Sequence, residues 1–233
     1  MPVMQTELRE RRSLAAVASG GISNDAIYSA IERIITDLNL GGHVLDFGAG
    51  KGRLAMHLSS MGRFESVTAA DIMEAPPSLS HAIQWIEADL NFPLETTAAR
   101  FDVIVAAEVI EHLENPRALA REWLRLLRPG GTLVMSTPNN ESWRSVLALV
   151  FQGHYAFFGR ESYPAHITAL LRKDIQRILT EAGFEGPRFF YTDQGGIPKM
   201  RGLKWQSFSM GLLGGLRYSD NVIAVAAKPR SNS

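Results

Sequence analysis

The chain has 233 residues, 45% of them hydrophobic, enough for the full core of one α/β domain over 1–233. Its 24 Lys and Arg balance 24 Asp and Glu, so the basic excess usual in general nucleic-acid binders is missing and nucleic acid is disfavoured as a partner. With no cysteine there is no disulfide or thiolate metal site, and with neither a signal-peptide apolar core nor a bilayer-length apolar run, the expectation is a cytoplasmic protein, peripheral membrane contact remaining open.

Residues 1–20 are polar, with Arg9, Arg11 and Arg12 ahead of a small-residue run, and read as an N-terminal tail or a loose amphipathic helix. Ile27, Ala30, Ile31, Ile34, Ile35 and Leu38 recur at helical spacing, so a helix is predicted over 25–39, capped by Ser23 or Asn24. Strand one follows at 43–47, then a glycine turn and a helix over 52–61. Strand two ends at Asp71 and strand three, 83–87, lies just before Asp89. Phe101–Ala106 is a continuous apolar run of the kind buried in parallel sheets. Asn115 caps a helix with Pro116 at its first position. Arg128-Pro129-Gly130-Gly131 turns the chain into strand 132–137. The alternation of strands and helices predicts a doubly wound parallel sheet.

Residues 140–165 break that rhythm with patches of aromatic and apolar side chains. They read either as a core helix and loop or as a lid over an apolar substrate. A helix near 172–182 and late strands near 188–192 and 221–227 follow. The strands flank 195–217, a glycine-rich and apolar segment that offers a second wall for an acceptor pocket.

The chemistry centres on Val44-Leu45-Asp46-Phe47-Gly48-Ala49-Gly50-Lys51-Gly52-Arg53. Glycine accepts positive φ and lets a ligand approach the backbone, and N–H groups at a helix start are free to hold it. A triphosphate loop fails, because Gly50-Lys51 runs into Gly52 and Leu45 stands at the first glycine position. A dinucleotide fingerprint fits poorly, because Arg53 takes its third glycine position. Asp46 in an apolar strand end needs a partner, which a ligand's ammonium group supplies. Lys51 and Arg53 are assigned to solvent or the helix start.

The glycine loop, Asp71, Asp89 and Leu-Arg-Pro-Gly-Gly-Thr-Leu stand in the order of the motifs of class I S-adenosylmethionine (SAM)-dependent methyltransferases, which the chain resembles over about 44–137. Phe101 through Pro116, with Ala107-Glu108-Val109-Ile110-Glu111-His112-Leu113 at its centre, resembles the branch holding the ubiquinone-biosynthesis O-methyltransferases and the small-RNA 2′-O-methyltransferases. Ser136–Asn139 and His166 through Phe184 resemble that branch too. The resemblance implies a Rossmann-like α/β fold: a seven-stranded, mostly parallel sheet with helices on both faces and the last strand antiparallel.

It implies a cofactor site at Asp46, Gly48, Ala49, Gly50 and Gly52, with Asp71 and Ile72 at the ribose, where one carboxylate accepts from both hydroxyls. Asp89 and Leu90 would meet the adenine, Asp89 accepting from its amine, and Glu108 completes the set. The shortened Pro76-Pro77 connection departs from the family pattern at the adenine-side wall. His112 and His166 are the catalytic candidates. Glu108, Glu111, His112 and His166 suit Mg²⁺, Mn²⁺ or Zn²⁺, or else form a metal-free hydrogen-bond network. The expected activity is O-methylation of a small apolar or amphipathic acceptor such as a quinone precursor, polyketide or lipid-linked sugar. An RNA 2′-hydroxyl is the alternative acceptor, and a non-catalytic SAM-binding scaffold the alternative from another class.

Overall fold

A computed structural model describes residues 2–18, 20–21, 23–96, 98–200 and 202–230. A helix α1 (Pro2–Ala18) precedes α2 (Asp25–Asp37). The Asn24 side chain accepts the Ala26 N–H at 2.8 Å and caps α2, whose Ile27, Ile31, Ile34 and Ile35 face is buried. Then come β1 (Gly42–Phe47), α3 (Arg53–Ser60), β2 (Phe64–Asp71), β3 (Ile83–Glu87) and β4 (Phe101–Ala107). A 3₁₀ turn, Ile110–His112, leads to α4 (Pro116–Leu126) and β5 (Leu127–Pro138). After them lie α5 (Trp143–Gln152), α6 (Arg172–Ala182), β6 (Glu185–Tyr191), the short α7 (Trp205–Phe208) and β7 (Asn221–Ala227).

The strands form one seven-stranded sheet in the order β3-β2-β1-β4-β5-β7-β6. β1 to β5 run parallel, and β7 runs antiparallel to both β5 and β6. This is the expected Rossmann-like architecture with its antiparallel last strand. Alternate residues of the central strands serve opposite faces: Leu45, Phe47, Ile104 and Ala106 join one core with Trp123, while Val44, Val103 and Val105 join another with α2 and α3. A sheet buried on both sides explains why β4 is an unbroken apolar run. The Arg128–Gly131 stretch, expected as a turn, lies within the opening of β5, whose pairing with β4 is interrupted by an irregularity between Phe101 and Val103.

Two irregular segments resolve differently. α5 is a regular helix capped by Ser142, yet only Ser145 is buried; Val150 and Phe151 are exposed. Residues 195–217 form turns around α7 that leave Phe208, Met210 and Leu212 exposed. Among the described residues no helix is long and apolar enough to cross a membrane.

Candidate active site

The carboxyl ends of β1, β2 and β4 converge, as the crossover of a doubly wound sheet requires, on a cavity of about 760 Å³. β1 delivers Asp46, which is 1% exposed and has no hydrogen-bond partner on either carboxylate oxygen. Burial, then the charge of Asp71, pushes its pKa up to about 8; the Ala55 N–H at the start of α3 pulls the other way without closing a hydrogen bond.

The loop after β1 has the expected glycine conformation, and its own N–H groups are held by the protein. Gly48, Gly50 and Gly52 all have positive φ. Their N–H groups are spent within the protein: Gly48 and Ala49 donate to Ala70 O, Lys51 to Gly21 O and Gly52 to Ala49 O. Gly50 N donates to Asp71 Oδ2 at 2.7 Å, so Asp71 clamps the loop while its other oxygen accepts from Met73 N at 3.0 Å. The loop thus brings its backbone close to the cavity and leaves these five donors unavailable to a ligand. Gly52 is not on the cavity wall; it is the left-handed residue before α3, packed toward Leu79. Gly48, Ala49, Gly50, Asp71, Ile72, Asp89 and Leu90 do line the wall.

At the end of β4, Glu108 sits at φ 58° and also lines the wall. Its carboxylate accepts from Ser136 Oγ and Asn221 Nδ2, both at 3.1 Å. Burial raises its pKa to about 7. Glu111, fully buried behind the wall, accepts from Thr137 Oγ1 at 3.0 Å through one oxygen and leaves the other without a partner. Burial and the neighbouring Glu108 charge raise its pKa as well. The backbone of Glu111 draws in the segment after α5: Ile167 N and Thr168 N donate to its carbonyl at 2.9 and 3.0 Å. That contact brings His166 to His112, with ring centroids 4.8 Å apart and nearly perpendicular.

His112 Nδ1 lies 2.8 Å from Ala165 O and His166 Nδ1 2.7 Å from Phe157 O. A carbonyl only accepts, so each Nδ1 carries the proton and each Nε2 keeps a lone pair. Burial lowers both pKa values, that of His112 to about 4, so both rings are neutral near pH 7. One ligand atom each from Glu111, His112 and His166 lies within 4.8 Å of the others. Glu108, expected as a fourth, is outside this group and held by Ser136 and Asn221.

The rest of the wall comes from segments whose part in it the sequence left open. α1 closes one side through Leu8, Arg11, Arg12, Leu14, Ala15 and Ala16. Arg144, Phe157 and Tyr163 enter from the expected insertion at 140–165, and Tyr28 from α2. Segment 195–217, expected as a second wall, contributes no residue to the cavity among those described. Of the two readings of residues 1–20, tail or loose amphipathic helix, the structure shows the helix, with Arg9 and Arg12 three apart on one face.

The profile of the methyltransferase-domain family matches residues 21–186, which contain most of this wall but not its α1 side. The chain belongs to that family. Ubiquinone biosynthesis O-methyltransferases are similar to it: that of Coxiella burnetii is 32% identical over 125 residues, covering 50% of this chain and 52% of the relative. That of Xanthomonas oryzae pv. oryzae is 31% identical over 152 residues, covering 57% and 61%. The chain thus spans little more than half the length of these curated relatives. Among solved structures of methyltransferases, the 1,6-didemethyltoxoflavin-N1-methyltransferase of Burkholderia thailandensis, with bound 1,6-didemethyltoxoflavin and S-adenosylhomocysteine, shares the fold. Its TM-score is 0.63 at 18% identity, with 98% of this chain and 91% of that one covered. A Thermotoga maritima SAM-dependent methyltransferase, a possible histamine N-methyltransferase, has a TM-score of 0.63 at 16% identity, with coverages of 96% and 95%.

Proposed function

We propose that this methyltransferase-family chain moves the methyl group of SAM to a hydroxyl oxygen of a small apolar or amphipathic acceptor. The observation that carries the reading is the continuity of the cavity: the unpartnered Asp46 and the glycine loop share one space with two neutral imidazoles whose Nε2 lone pairs are free. Asp46 would take the cofactor's ammonium group, Asp71 its ribose hydroxyls and Asp89 its adenine amine. The methyl of SAM sits on a cationic sulfur and leaves readily, so the protein must mainly hold the acceptor in line behind it. Such positioning supplies roughly 7–11 kcal/mol. A neutral imidazole Nε2 at His112 or His166 then accepts the hydroxyl proton, a contribution of about 10²–10⁴-fold. Phe157 and Tyr163, beside the histidines, suit an aromatic or otherwise apolar acceptor. Similarity to ubiquinone biosynthesis O-methyltransferases favours oxygen as the accepting atom.

A second reading gives the same Nε2 lone pairs to a metal ion in place of the hydroxyl proton, since a nitrogen that binds metal cannot also accept a proton. The orphaned Glu111 oxygen and the two Nε2 atoms form a donor set that suits Mn²⁺ or Zn²⁺, and each imidazole already has the backbone-carbonyl partner that orients a metal-bound histidine. A bound ion would act as a Lewis acid, making the acceptor hydroxyl more acidic. Incubation with methyl-labelled SAM and a panel of phenols tests the activity: label recovered as a methyl ether supports it. Label in RNA points to a 2′-hydroxyl acceptor instead, and transfer to nitrogen or carbon overturns the oxygen assignment.

A further inference from the structure

α1 lies outside the residues matched by the family profile, yet it closes the cavity beside Asp89. Its attachment is polar. None of its described side chains is buried, and Leu14 and Val17 are 70% and 62% exposed. Arg12 is the exception to this loose contact. Its Nη1 meets Asp89 Oδ2 at 2.6 Å, and its Nη2 and Nε meet the two Glu114 oxygens at 2.8 and 3.1 Å. The guanidinium also stacks 5.3 Å from the centre of the Phe92 ring. Arg9 adds an exposed pair with Glu87 at the end of β3. The side chains of Arg12 and Asp89 are only 15% and 10% exposed, so their pair is screened far less than the Arg9 pair.

We propose that α1 is a detachable lid on the cofactor end of the cavity and that Arg12 is the cofactor-site residue that closes it. The proposal rests on SAM occupying the cavity. Asp89 Oδ1 accepts from Asn91 N and Nδ2, and Oδ2 from Arg12, so Arg12 and Asn91 together hold the Asp89 carboxylate at the edge where adenine is expected. An ion-paired helix with little apolar anchorage opens at small cost, which cofactor exchange needs, and its closure retains what lies beneath. Arg12 therefore acts on cofactor release and positions Asp89; it touches no reacting atom.

Stopped-flow displacement of S-adenosylhomocysteine from the full chain is the test. Arg12→Ala is expected to speed dissociation about tenfold, with Arg12→Lys between the two and Arg9→Ala near wild type, because interface losses appear mainly in dissociation. An unchanged or slower Arg12→Ala rate overturns the lid; slower release would make Arg12 a competitor of the adenine. Trypsin cleavage after Arg9, Arg11 or Arg12 of the wild-type chain gives a readout free of mutation: S-adenosylhomocysteine should slow it severalfold, and equal cleavage with and without it overturns the proposal. If the wild-type chain binds neither SAM nor S-adenosylhomocysteine, the SAM reading itself fails, an outcome distinct from binding with an unaltered Arg12→Ala rate.

Discussion

Asp46 is a buried carboxylate with no partner of its own, and its cost is visible in stability. Its folded pKa of about 8 lies above the unfolded value, so the folded state binds more protons, and stability falls as pH rises through the window from about 4 to about 8. Asp46→Asn removes that loss. Thermal melts of the ligand-free chain should show the variant gaining on wild type as pH climbs from 5 to 8, with a flat difference above about 9; parallel profiles would contradict the assignment. The histidines make a separate prediction. His166→Ala should lower the rate of methyl transfer by about 10²–10⁴-fold while leaving cofactor affinity within about twofold. On the metal reading, chelation followed by Mn²⁺ or Zn²⁺ should suppress and then restore activity; full activity in metal-free buffer with no response to added ions removes that reading and leaves the histidines as bases. Asp46 was legible because an acid inside an apolar strand end stands out. The Glu108–His112 run was legible as a cluster, but which glutamate faces the histidines depends on the positive φ at Glu108 and on Asn221, 113 residues away. No local pattern encodes that.

The glycine loop was legible as a strand–turn–helix unit, and its position is as expected, but the internal partners of its own N–H groups were not legible. Spacing reveals where backbone N–H groups lie and not which carbonyls, here Ala70 and Gly21, reach them first. Gly50 has φ 54°, and a Cβ there would collide with the Gly21 backbone, whereas Gly62 has φ 64° and open space around it. Gly62→Ala should cost only the left-handed strain, about 1–2 kcal/mol. Gly50→Ala should cost more than Gly62→Ala and weaken SAM binding as well, measured by urea denaturation and calorimetry; equal costs and equal affinities would contradict the packing of the loop. α1 and 195–217 were the least legible elements. α1 is held by ion pairs to residues 77 to 102 positions away, and such contacts leave no periodic trace. Segment 195–217 is apolar without a period, and its Leu203, Phe208, Met210 and Leu212 are exposed while Trp205 packs on Tyr218, outside the cavity.

The sheet and its two cores follow from patterns that reach along the chain: continuous apolar strands, helix caps and βα alternation. Trp123 shows how the larger core is filled. It is fully buried on α4, meets Phe47 edge-on at 6.0 Å and leaves its indole N–H without a partner. Trp123→Ala should therefore destabilise the chain by about 3–5 kcal/mol in urea denaturation, whereas Trp123→Phe should cost much less, because it also removes the unsatisfied donor. Core, loop and strand ends together line one cavity, and the proposed function gives Asp46 in it the cofactor's ammonium group. Calorimetric titration of SAM into wild type and Asp46→Asn at pH 8 tests this most directly. One site per chain is expected, with affinity about 10–100-fold weaker in the variant as a charge-assisted contact is lost. No binding by the wild-type chain, or equal binding by both, would contradict the account.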